Sequence, residues 1–540
     1  MDIKNIKAPL LIVLLMMFFI IIGCSKKTEE TITEENEKED EVTEETKEDT
    51  TTSENSVLNI AIDTTPPTLD QPISTSASTR DVSRLIYESL VTTDADFKPI
   101  PMLAESIDIS DDNKVYTFHL RKGIKFHNGE EMIAEDVIAS MKRWEEKTAL
   151  SGEIFNGATW EEQDEYTVVL TLTNASPLTL DTIATSKHAP AIMPKEIVES
   201  APAEGVNEYI GTGPYKLTEW KEDQYIHFTK NEDYLTLETE TNGLGGKKEA
   251  LIEDIYFRLV PDSSTRLAGI LSGEYDFAYG IPQDNYDQLI NSDSVEPVLV
   301  PGSNTIIKFN NVEGIVSDFE FREIINTALD YEQIMMAAFA SEEFYELDSG
   351  YMHKDVTAWA SQAGSEYHNI NDPEKAKQML EDYGYNGEEV VIMTTRDFQW
   401  MYNIGVAVDE QLKRLGIQSR LDVYDYPTFS DTANKTDLWD IEIQGATMVS
   451  TPPQLITLST TWSGGVNDPH IPESLKAMET ASDLEDAYQI WDELQQYVWE
   501  EHLPIINLGH SYALYGINKK VQGIEMSTVG PVLWNATVSE

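Results

Sequence analysis

The chain has 540 residues, with 38 lysines and arginines against 96 aspartates and glutamates and a formal net charge of −58. Neutralising phosphates takes clustered basic residues, so this balance excludes a nucleic-acid-binding role and chiefly favours solubility. Cys24 is the only cysteine, which excludes a disulfide framework and a thiolate metal site.

At the amino terminus, Lys4 and Lys7 precede an apolar run from Ala8 to Ile22, closed by Gly23 and Cys24. A stable transmembrane helix needs ~20 apolar residues, so this shorter run suits a signal-peptide core. Ile21-Ile22-Gly23-Cys24 resembles a bacterial lipobox. The resemblance implies that residues 1–23 are a lipoprotein signal peptide and that Cys24 is the lipidated first residue of the mature chain. A short membrane anchor with an incidental cysteine is the alternative. Residues 24–56 continue as the lipidated cysteine and a tether of almost pure Glu, Thr, Asp and Lys. Such a segment buries too little apolar surface to offset its ordering entropy, so disorder is expected. A single helix with i,i+4 Glu–Lys pairs is the rival.

The body opens with Val57–Ile62, alternating like a strand and broken by Thr64-Thr65-Pro66-Pro67. Val82 to Leu90 places apolar residues at 82, 85, 86 and 90, the spacing of a helix face. Lys114–Leu120 reads as a strand. Ala134–Trp144 reads as a helix with Val137, Met141 and Trp144 on one face. No later apolar run approaches a membrane span. Helical and strand patterns alternate throughout, as mixed α/β layers require, and the length suits about two or three domains.

The nine histidines form no His-x-x-x-His pair, and neither a Gly-x-x-x-x-Gly-Lys-Ser/Thr loop nor a Gly-x-Ser-x-Gly elbow occurs. A zinc hydrolase, a nucleotide-binding loop and an α/β-hydrolase nucleophile therefore lack their residues. No enzyme, cofactor or metal site is expected.

Leu120–Trp144 (LRKGIKFHNGEEMIAEDVIASMKRW) resembles the signature of extracytoplasmic solute-binding proteins of the oligopeptide, dipeptide and nickel class, family 5. Tyr87-Glu88-Ser89-Leu90, Gly211–Trp220, Leu271–Asp276, Phe319–Asp330, Asp372–Leu380 and Gln411–Ile417 follow in that family's order. The resemblance implies an α/β, two-lobed, periplasmic-binding-protein-like fold that closes on its solute like a flytrap. It further implies a first-lobe core of 57–77, 195–300 and 509–540, an extra domain inserted at 78–194, and a second lobe at 301–508. Hinges are expected near Pro301–Asn304 and Leu508–His510. Gly211, Gly213 and Pro214 are read as a turn, with the glycines supplying positive φ. Phe126 and Trp144 are read as core, and Arg322 as the ion-pair partner of a neighbouring carboxylate.

Ligand positions implied by the resemblance are Thr65 and Pro66 on one cleft wall and Ser303 and Asn304 at a crossing. On the second lobe they are Thr395, Arg396, Trp400, Tyr426 and the turn Gly445-Ala446-Thr447-Met448. Arg396 is a candidate partner for a solute carboxylate. Trp400 and Tyr426 are either solute platforms or packing. Peptide-binding members carry a Trp and an Asp in that turn, the Asp meeting the peptide's ammonium; here those positions hold Ala446 and Val449. A buried ammonium without a counter-charge is costly.

The implied function is a lipid-anchored receptor on the extracytoplasmic face of the cell membrane, monomeric, handing its solute to an ABC permease and ATPase complex. A peptide is the first candidate. A metal chelate, an opine or a sugar is the alternative, and a non-transport surface lipoprotein on the same fold is a further one. Replacing Cys24 with Ala should abolish lipid labelling and detergent partitioning; a Cys24→Ala protein still lipid-labelled and membrane-held would contradict the anchor.

Overall fold

The computed structural model describes residues 56–148 and 151–539. Residues 1–55, where the signal peptide, the lipidated Cys24 and nearly all of the acidic tether are expected, lie outside the described residues. No helix among the described residues is long and apolar enough to cross a membrane.

The spine is an eleven-stranded mixed sheet. At its centre, Val295–Phe309 and Ile505–Asn518 pair antiparallel almost end to end. On one flank, Ile505–Asn518 meets Phe277–Ala278, followed by Val57–Ile62, Asp254–Leu259, Tyr225–Lys230 and Tyr215–Lys221, and the short Tyr345–Glu346 also pairs on Ile505–Asn518. On the other, Val295–Phe309 meets Ile441–Ala446, then Val390–Thr395 and Ser419–Tyr424. The long pair thus belongs to both halves of a two-lobed α/β molecule. The expected crossings fall inside these two strands, at register shifts between Pro301 and Asn304 and between Thr305 and Ile306. A register shift bends and twists a strand locally, so the ladder continues while its direction changes.

A separate antiparallel sheet runs Ala104–Ile109, Val115–Leu120, Thr167–Thr171, Thr159–Asp164. The helix Ala134–Lys147 lies against it, starting where Asp136 Oδ2 accepts the Ile133 amide at 3.0 Å. Val137, Met141 and Trp144 form its fully buried face, as the spacing predicts. Trp144 meets Phe155 edge-on at 5.4 Å, and Phe118 stacks on Trp160 at 5.8 Å. Buried apolar residues between Leu90 and Ile192 and between Ile306 and Leu508 form one continuous cluster, while Leu58 to Val532–Ala536 form another.

Three sequence expectations change. The helix expected over 82–90 is Ala77–Ser83. Beyond it the Leu85 and Ile86 carbonyls accept the Tyr215 and Gly213 amides at 3.1 and 2.8 Å. That pairing takes acceptors a longer helix would need, although Val82, Leu85, Ile86 and Leu90 are all buried as expected. Gly211 and Gly213 are not at positive φ; their role is clearance, because an added Cβ would lie 2.2 Å from Ile86 O and 2.4 Å from Leu85 O respectively. Arg322 has no carboxylate in contact. Its guanidinium, 2% exposed, donates to the carbonyls of Val316, His502 and Leu503.

Gly509 sits in the central ladder at φ +131°, and a Cβ there would stand 2.0 Å from Glu346 O. Gly509→Ala should therefore destabilise the body by more than about 2 kcal/mol in urea unfolding. An unchanged midpoint would contradict the steric account.

Candidate functional site

A cavity of about 210 Å³ opens between the hinge strands, the 71–80 segment and the 447–448 turn. A smaller chamber of about 50 Å³ adjoins it and shares Gln71, Arg80 and Ser186. The wall at 71–80 is held by Asp70, fully buried and clamped by Arg143 at 2.9 and 2.5 Å, with the Val206 amide as a third donor. A charge-assisted bidentate pair of this kind fixes orientation as well as position. Behind it comes Ser74-Thr75-Ser76-Ala77-Ser78-Thr79, whose hydroxyls bond mostly to one another or to nearby backbone.

The second wall of the same side is the loop Ser186–His188. His188 adopts φ +49°; its Nδ1 pairs with Pro72 O at 2.9 Å, and its carbonyl accepts the Trp144 indole N–H at 2.7 Å. Burial lowers the His188 pKa, so the ring is neutral near pH 7 and donates to that carbonyl. Trp144 is thus core, as expected, and also a support of the cavity wall. Lys187, held between these contacts, reaches across and donates to Thr447 Oγ1 at 3.0 Å. Two further contacts join the same halves: Thr357 Oγ1 donates to Asp96 O at 3.2 Å, and Lys476 lies 3.7 Å from Glu153.

The far wall is the end of Ile441–Ala446, which pairs with Asn304–Phe309 in the register Asn304 to Ala446 and Thr305 to Gly445. Ser303, Thr447 and Met448 line the cavity. Gly445 and Ala446 lie just behind it: a Cβ on Gly445 would be 3.6 Å from the Trp400 ring and 3.7 Å from Ser303 Cβ. Trp400 is half-buried and stacks on Phe339 at 6.4 Å. Asn304 is buried, donating to Tyr351 O at 3.3 Å while its Oδ1 has no partner.

The remaining expected residues are placed elsewhere. Thr65 and Pro66 line a different depression with Pro67, Trp220, Glu222 and Asp223, which shares no residue with the cavity. Thr395 is fully buried, its Oγ1 accepting the Asp397 amide. Arg396 is exposed and lies over the Tyr402 ring at 4.7 Å. Tyr426, 39% exposed, packs edge-on to Phe398 at 5.0 Å and does not line the cavity. Sequence reading missed the wall at 71–80 and the loop 186–188. The hydroxyl-rich run before Arg80 was the available signal, since six small residues in succession, half of them in the helix Ala77–Ser83, suit a polar wall better than a core element.

The cavity lining holds Arg80 and Lys187 and no aspartate or glutamate. Arg80 Nε is 2.8 Å from Asp81, and Arg84, in the smaller chamber, is 3.6 Å from the same carboxylate. Burial lowers the Arg84 pKa to about 10, so it stays charged. The smaller chamber's Glu88 is saturated by Lys248 at 3.0 Å, Tyr234 at 2.8 Å and Thr212 at 3.0 Å. Among the described residues, no cluster of three or more His, Cys, Asp or Glu is arranged to hold a metal.

The strand that ends in the 447–448 turn is anchored by a buried ion pair, Lys308 with Glu442 at 2.8 Å, both about 1% exposed. Lys308 also lies 3.9 Å from the Trp462 ring centroid and 5.0 Å from that of Trp439. Burial lowers the Lys308 pKa, and Glu442 opposes that shift.

A two-lobed α/β body with a cavity between its halves defines a solute-binding protein of the periplasmic-binding type. The family model for bacterial extracellular solute-binding proteins, family 5, matches residues 98–467, and the chain belongs to that family. It is 25% identical over 493 residues to a probable peptide ABC transporter periplasmic-binding protein of Sinorhizobium fredii, covering 86% of this chain and 90% of that one. It is 25% identical over 463 residues to the oligopeptide-binding protein AppA of Bacillus subtilis, covering 80% and 81%. Among solved structures, AgaA of A. tumefaciens in complex with agropinic acid superposes with a TM-score of 0.72 at 25% identity, covering 90% of this chain and 99% of that one. The family consists of solute-binding transport proteins, not enzymes.

Glu442→Gln should cost about 3 kcal/mol of stability, because it leaves the Lys308 ammonium buried without its counter-charge. Combining Lys308→Met with Glu442→Leu should recover most of that loss. A single variant as stable as the parent would contradict the role given to the pair.

Proposed function

We propose that this protein is a lipid-anchored extracytoplasmic receptor that captures one small solute between its lobes and delivers it to an ABC permease and ATPase complex. The observation that carries this reading is the cavity between the halves, whose lining residues Lys187 and Thr447 bridge them. One hydrogen bond of this kind contributes about 1 kcal/mol. Together with the Thr357–Asp96 and Lys476–Glu153 contacts, it biases the halves toward closure. The receptor works as a monomer, with 57–77, 195–300 and 509–540 as one lobe's core, 78–194 inserted in it, and 301–508 as the other lobe. Ser303, Thr447 and Met448 contact the solute directly, with Trp400 stiffening the wall behind Gly445.

A peptide is the first candidate, supported by the names of the two curated relatives. An opine-like solute is the second, supported by the AgaA complex and by the turn after Gly445, which offers Ala446 and Val449 and no carboxylate.

Native mass spectrometry of protein purified without unfolding should show a one-to-one adduct that is lost after unfolding and refolding. Returning the released molecule at about a hundredfold excess over Kd should stabilise the body by ~2.7 kcal/mol. Protein that neither carries nor rebinds any small molecule would contradict the receptor reading.

A further inference from the structure

We propose that the solute carries a carboxylate or equivalent anionic group, which docks between the Lys187 ammonium and the Arg80 guanidinium; this rests on the receptor reading above. In a chain of net charge −58, a cavity lined by two cations and no carboxylate is an inversion of the surrounding composition.

The charges around the cavity do not cancel internally. Lys187 is half-buried, and the one hydrogen-bond partner of its ammonium among the described residues is the neutral Thr447 hydroxyl. No carboxylate acts on it, and burial alone shifts its pKa, downward. An ammonium has three N–H donors, so two remain for a solute. Asp81 is shared by Arg80 and Arg84, so one negative charge serves two positive ones. In the adjoining chamber Glu88 and Lys248 neutralise each other. A half-buried cation without a counter-charge is disfavoured, and an anionic solute supplies what is missing. Because Lys187 also bridges to Thr447, a solute anion at this point would hold the same side chain that spans the two halves, coupling binding to closure.

Two sources offer this chemistry: the C-terminal carboxylate of a peptide, and the carboxylate of an opine-like acid. Both fit a turn that provides no counter-charge for a free ammonium.

The test uses the full chain in detergent, freed of solute by unfolding and refolding. Thermal shift and calorimetry are run with Ala-Ala-Ala, N-acetyl-Ala-Ala-Ala, Ala-Ala-Ala-amide and agropinic acid. The proposal expects binding of acids only. Binding of the acetylated tripeptide, with the amide at least about tenfold weaker, assigns the peptide source; binding of agropinic acid alone assigns the opine source. Lys187→Met should weaken the bound acid at least about tenfold, and Lys187→Arg should restore most of the affinity. An amide that binds as well as its acid, or Lys187→Met with unchanged affinity, overturns the anionic site while leaving the receptor intact. Failure of all four probes, together with no co-purifying molecule, removes the receptor reading and this proposal with it.

Discussion

Everything in this molecule hangs on one pair of antiparallel strands, Val295–Phe309 and Ile505–Asn518. Each is long enough to contribute hydrogen bonds to both halves of the large sheet, and the strands of the two halves are added outward from this pair in opposite directions. The pair must bend without losing its ladder, and it does so through register shifts around Ser303–Ile306. The second strand needs a residue without a side chain there, because Glu346 O occupies the space where the Gly509 Cβ would stand. A hinge made of continuous strand has few ways to move. In the closure proposed above, bending concentrated at the shifts would leave each half rigid.

From that constraint the cavity follows. Val300 to Ser303, Ala513 and Tyr515 line it because they are where the paired strands pass between halves. The walls are then set by buried polar clamps on either side. Asp70–Arg143 and the Trp144–His188 contact fix one wall, and Lys308–Glu442 fixes the other. These clamps are costly to desolvate and tolerate little displacement. They leave the lining itself to short hydroxyl and apolar side chains, with Arg80 and Lys187 as the charged groups. Lining side chains such as Ser303 and Met448 can therefore change without disturbing the clamps, whereas His188 both lines the cavity and holds its wall.

The elements with strong local signals were legible in the sequence. Val57–Ile62 turns Leu58, Ile60 and Ile62 into one apolar cluster and Ala61 into another, and Ala134–Lys147 presents Val137, Met141 and Trp144 to the small sheet. The resemblance carried by Leu120–Trp144 and the later motifs led to the right family and fold. What failed depended on partners distant in sequence. The apolar spacing of 82–90 was read as helix, yet Gly213 and Tyr215, more than a hundred residues later, take its carbonyls. The same contact explains why Gly211 and Gly213 serve close approach and not a positive φ. Arg322 looked like half of an ion pair because guanidinium usually meets carboxylate; a cluster of three backbone carbonyls did the same job. At the site, positions tied to the strand register, such as Ser303, Thr447 and Met448, reached the cavity. Thr65 and Pro66, in the irregular stretch after Val57–Ile62, and Tyr426, the first residue of the helix after Ser419–Tyr424, lie away from the cavity. The wall from Gln71 to Arg80 has no periodicity to read.

The central claim is that the two halves close on a solute about the long strand pair. It is tested most directly by electron–electron distance measurement between spin labels at Glu161 and Glu473, both exposed and on opposite sides of the cleft. Protein freed of its co-purified solute should give a broad distribution reaching to longer distances, and returning the solute should collapse it to one short, narrow distance. Identical distributions with and without solute would contradict the account.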